Sequence, residues 1–168
     1  MQIMIEGLAL GAVGTMRQTS REPLLRELLK YVITDEARHV HYGVVALREY
    51  YHTLPEKDRR EREDWAFEVA VLMRNRFFAH EFYDEFYGQT MSRKQWDELI
   101  LNSAYMRNFR QTMFRRLVPN LKRINLMSDR IRPHYAALGL LEWEHEKAAP
   151  ELSATDLIRD SDAPIQLH

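Results

Sequence analysis

An all-α bundle built on an antiparallel helix hairpin is the fold the sequence predicts, and three observations predict it. Apolar residues recur at alternating steps of four and three, the period of one helix face, through most of the 168 residues. Only two or three residues near Ser20 separate the first two helical patterns, so those helices have to fold back on each other. Ser92-Arg-Lys-Gln95 is a capping box, the signature of a further helix start.

The elements follow in order. Residues 2–18 read as an apolar first helix in which Gly7, Gly11 and Gly14 each cost about 1 kcal/mol relative to Ala. Such a helix survives by close packing on neighbours. Ser20 is the expected cap of the second helix, with Pro23 in its first turn. That helix runs to about Tyr51, roughly 45 Å at 1.5 Å per residue, and exposes Arg26, Glu27, Lys30 and Arg48. A third opens after Pro55 with the mixed-charge run Glu56–Asp64, read as solvated turns, and continues through Val69 and Met73 into the aromatic stretch 77–88. Those aromatics read as core and contact surface rather than a cofactor box. A fourth runs from Ser92 through Ile100 and Phe109; Pro119 is expected to break it before it resumes toward Leu138. Residues 1–138 thus form the helical domain. Residues 139–168 read as a polar tail with a mobile end.

Composition excludes several classes of function. With no cysteine there are no disulfides, thiolate metal sites, iron–sulfur clusters or cysteine nucleophiles, which fits a reducing cytoplasm. A formal net charge of −1 gives no general pull toward nucleic acid or an anionic membrane. The basic residues between Arg107 and Arg132 therefore read as a solvated face or a surface for an acidic partner rather than a nucleic-acid stripe. The longest apolar stretch is interrupted by Glu6 and ends at Arg17, too short to span a bilayer. The N-terminus lacks the basic region of a signal peptide. No internal repeat and no glycine-rich phosphate loop is present.

Chemistry concentrates in Thr34–Gly43. Glu36 and His39 lie three residues apart, one turn along one helix face. They fall in the row Leu25, Leu29, Val32, Glu36, His39, Gly43 and Ala46, otherwise apolar or small. A helix burying that row buries the pair with it. An unpaired ionised carboxylate in a core costs several kcal/mol, so it needs a partner cation or a metal. Glu oxygen and neutral His nitrogen suit iron, manganese or zinc. Glu6 is the only charge before Arg17, and counting residues from the turn brings it level with Glu36. Plainer readings stand beside these: a surface Glu–His pair, and a Glu6 that answers the helix macrodipole. His80 with Asp84 reads as a surface contact, and Glu142 with His145 as an exposed chance match.

A lone Glu on one helix followed by Asp-Glu-x-Arg-His on the next resembles one half of the site in the ferritin-like di-iron carboxylate superfamily. The motif is similar to those of multicomponent monooxygenase hydroxylases, ligand-binding oxidases and the ribonucleotide reductase small subunit. The resemblance covers about residues 2–52. It implies a ferritin-like bundle with Glu6, Glu36 and His39 as metal ligands. Asp35 and Arg38 would lie behind the ligands, orienting those of the opposite half. It also implies two iron ions, or iron with manganese, and an oxidoreductase that activates dioxygen to oxidise a small-molecule substrate. A ferroxidase or iron-binding role is an alternative, and a metal-free helical interaction module is another. The chain holds only one half-set of ligands. Two divalent metals carry more positive charge than Glu6 and Glu36 balance, so a second half-set is expected. Its source would be the mate in a homodimer, or an N-terminal half upstream of Met1.

Overall fold

The computed structural model describes residues 2–163, and every regular element among them is helical. Met1 and residues 164–168, including the end expected to be mobile, lie outside the described residues. The first helical segment is not uniform: Gln2–Glu6 winds as a π-helical turn, and α1 spans Gly7–Thr19. α2 (Pro23–Thr53) follows, capped by Glu22 rather than Ser20. The Glu22 carboxylate accepts a bond from the Leu25 amide at 2.6 Å, where it also meets the positive end of the helix dipole. Ser20 instead holds the connection, its hydroxyl accepting from the Glu22 amide at 3.2 Å.

α1 packs against α2. Beside the connection, Arg17 donates from Nε to the Arg26 carbonyl at 3.1 Å; far from it, Glu6 meets His39. Gly11 allows a second close approach, because a Cβ there would sit 2.8 Å from the Met113 Cα. The expectation that glycine serves packing holds at this position.

The buried face of α2 runs through Leu29, Ile33, Val40, Gly43 and Val44, and takes only Leu29 and Gly43 from the row that contains Glu36 and His39. Leu25, Val32 and Glu36 are half-buried, while His39 and Ala46 are exposed. The row therefore lies along the rim of the core, because the described elements cover α2 from one side. The core itself joins α2 to α3 (Glu56–Arg76) and to Phe114, Leu117, Val118, Leu121 and Tyr135 further along the chain.

The later helices are shorter than periodicity suggests. α3 stops at Arg76, Ala79 takes a left-handed φ of 47°, and α4 spans His80–Phe86. The reading of 56–64 as solvated fails at Glu63, which is 1% exposed. Its carboxylate accepts from the Ser128 amide, the Ser128 hydroxyl and Arg130, each at 2.9 Å. The Ser92 capping box opens α5 (Arg93–Asn102) as expected; α6 (Ala104–Phe114) then starts at its own cap, Ser103. The break expected at Pro119 falls just ahead of it, at Arg115 and Arg116, and the chain resumes as α7 (Leu117–Arg123) with Pro119 in its first turn, where its missing N–H has no intrahelical acceptor to lose. α8 spans Arg132–Ala137.

Residues 139–163, polar as they are, pack onto the helical domain rather than trailing from it. Asn120 accepts from the Ala149 amide at 2.8 Å, and α9 (Ala154–Asp162) lies against α1 and α2. The acidic surface expected for the basic segment belongs largely to this same chain. Arg116, 8% exposed, reaches Glu146 at 3.2 Å and Asp160 at 3.0 Å, and Arg132 pairs with Glu144. Among the described residues no helix is long and apolar enough to cross a membrane.

Candidate metal centre

Three side chains converge where the π-helical turn meets the middle of α2. Ile3 and Met4, each 4% exposed, anchor that turn in the core and leave Glu6, its last residue, facing α2. Across from it, Glu36 and His39 project one turn apart. His39 Nδ1 lies 2.7 Å from Glu6 Oε2 and 3.6 Å from Glu36 Oε2. One donor atom from each residue falls within 4.8 Å of the others, a spacing a single ion can bridge. The side chains of Glu36, Glu6 and His39 are 23%, 31% and 55% exposed, so the cluster is open on the His39 side.

Glu36 Oε2 is buried and has no hydrogen-bond partner. Burial pushes the Glu36 carboxyl above its ordinary range, and the neighbouring Glu6 pushes the same way; His39 opposes them more weakly. Two carboxylates held together with one buried oxygen unsatisfied favour a proton or a cation in the space between them. The donor set, two carboxylate groups and an imidazole nitrogen, fits iron, manganese or zinc. With three protein donors, coordination positions would remain for further ligands.

The structure thus brings together Glu6, Glu36 and His39. Asp35 and Arg38 are placed differently: Arg38 donates to Asp35 at 3.0 Å on the outer face of α2, with side chains 74% and 65% exposed. Among the described residues neither contacts the three converging groups. His80 pairs with Asp97 at 2.7 Å instead of Asp84, which binds Arg93. Glu142 and His145 are exposed, as expected, and His145 contacts Glu144 at 2.9 Å. Sequence reasoning missed the π-helical turn beneath Glu6. Turns of that kind are frequent at functional sites, but no compositional signal separates one from an α-turn.

Comparison of the chain with models of known families, with characterised proteins and with solved structures finds no match. The reading of the site rests on its own chemistry.

Proposed function

We propose that Glu6, Glu36 and His39 form one half of a carboxylate-bridged two-metal centre, of iron or of iron with manganese. The α1–α2 pair would then be the antiparallel hairpin that makes up half of a ferritin-like bundle. The observation that carries this reading is the buried, unpartnered Glu36 Oε2 inside a three-donor cluster. A carboxylate held in that way costs stability in a merely structural role, and a bound cation offsets the cost.

Such a centre, when bound and reduced, supplies dioxygen activation for oxidation of a substrate or of iron itself. What the chain's own residues contribute is narrower. Glu6 and Glu36 offer oxygens from two separate helices, so the distance between donors is set by helix packing and not by a flexible loop. His39 offers Nδ1 on the same side. The apolar residues around the turn, Ile3 and Met4, exclude water from one flank of the cluster.

A metal-free reading is favoured by one observation: the 2.7 Å contact of His39 with Glu6 is itself a good charge-assisted hydrogen bond. Anaerobic titration of the purified chain with Fe(II) and with Mn(II), joined to mass measurement, separates the two. The half-site reading expects one metal per chain, bound where a second half-set is present, and dioxygen uptake by the reduced iron form. A chain that takes up neither metal in any assembly state leaves the Glu–His pair structural. Metal uptake without catalytic oxygen consumption leaves an iron-binding role.

A further inference from the structure

The outer face of α2 carries a second pattern, used neither by the core nor by the ligand cluster. Leu28, Tyr31, Asp35, Arg38, Tyr42 and Val45 succeed one another at alternating steps of three and four, which lines them up in one stripe. Its apolar and aromatic members are open to solvent: Leu28 at 56%, Tyr31 at 66%, Tyr42 at 64% and Val45 at 53%. Leu24 extends it by a turn at 77%. Scattered exposed apolar side chains are ordinary, whereas an aligned set of this length marks a contact surface.

The stripe also has a mirror order. About the point midway between Glu36 and Ala37, Leu28 reflects onto Val45, Tyr31 onto Tyr42, and Asp35 onto Arg38. Only the central pair is charged, and its two members have opposite signs.

We propose that this stripe is the seam on which a second copy of the chain docks, with the two α2 helices antiparallel about a two-fold axis between Glu36 and Ala37. In that register Asp35 of each copy faces Arg38 of the other. Tyrosine faces tyrosine, and Leu28 faces Val45. A parallel pairing would set Asp35 against Asp35 and Arg38 against Arg38, so charge selects the antiparallel one. The mirror order is what selects a second copy: an isologous contact requires each patch to complement itself, and an unrelated partner imposes no such rule. The seam stands apart from the half-site reading: Glu36 projects from the core side of α2, so docking on the outer stripe pairs two copies without joining their ligand clusters.

The test measures association and metal binding separately. Sedimentation equilibrium in chelator should find the chain dimeric in the micromolar range. Asp35→Arg makes the central pair cationic at both ends, and Arg38→Asp makes it anionic at both ends. Each variant alone should dissociate at least about tenfold more readily, and an equimolar mixture of the two should regain dimer of near-parent affinity. Both positions are exposed, so a circular dichroism spectrum matching the parent's is expected of each. Since the chain has no cysteine, Asp35→Cys mixed with Arg38→Cys gives a second readout: a disulfide between copies, formed faster than in either variant alone. Glu36→Ala, which removes a proposed ligand, should leave the dimer intact. A chain that stays monomeric, or a mixture that neither re-associates nor cross-links, overturns the seam. Metal bound by such a monomer would leave the ligand reading standing.

Discussion

His39 Nδ1 lies 2.7 Å from Glu6 Oε2, joining the middle of α2 to the π-helical turn that precedes α1. That one contact links a core-anchored backbone irregularity to a solvent-accessible imidazole. It also brings Glu36, one turn before His39, within reach of the same ion.

Loss of a donor should remove metal. Glu6→Ala, Glu36→Ala and His39→Ala are each expected to weaken Fe(II) or Mn(II) binding by about 100-fold or more, at or beyond the 10- to 100-fold typical of an outer hydrogen-bonding group. Anaerobic calorimetric titration reads this, with circular dichroism as the control for folding. Parent-like affinity in all three would end the ligand assignment.

Two glycines of α1 should respond in opposite directions. Gly11→Ala places a methyl 2.8 Å from the Met113 Cα and 2.9 Å from the Thr112 carbonyl oxygen, both backbone atoms. A loss of about 1–3 kcal/mol is expected from this overpacking. At Gly14 the nearest atom to a new Cβ is the Ser161 Cβ at 3.9 Å, an ordinary contact, so Gly14→Ala should stabilise by up to about 1 kcal/mol. Urea midpoints of the two variants check both signs.

Glu63 should matter more than its place in a charged run suggests. Glu63→Ala leaves the Ser128 amide without its acceptor and removes one of the carboxylates that hold Arg130. A cost of about 3 kcal/mol is expected by chemical denaturation. A change below about 0.5 kcal/mol, the ordinary surface range, would mean that the buried network is not formed.

Acid should act in part through Glu144. The Arg132 guanidinium hydrogen-bonded to it, more than any other influence, holds its carboxyl below the ordinary 4.5. A carboxyl depressed on folding contributes stability that is present above its unfolded value and lost as pH falls through the folded one. Glu144→Gln should therefore lose less stability than the parent between pH 4.5 and lower pH, read from denaturation midpoints across that interval. Parallel curves for the two proteins would remove Glu144 from the acid response.

The all-helical class and the meeting of Glu6, Glu36 and His39 were legible in the sequence, since each rests on local regularities. A period of 3.6 reports a helix face, a short connection reports a fold-back, and equal rise per residue brings level the positions counted from the turn. How much of a face its neighbours cover has no local signature. The row through Glu36 therefore lies on a rim, although its composition resembles that of a buried stripe. Tertiary contacts also decided where helices stop. Phe77 packs edge-on against Phe114 in the main core, while the Phe78 carbonyl accepts from the Trp96 indole at 2.6 Å beside a second cluster. The chain turns at Ala79 after serving both. The basic residues illustrate the same limit: Arg116 finds Glu146 and Asp160 thirty and forty-four positions away. Ion pairs over such separations are set by how helices pack, and no window of sequence contains both partners.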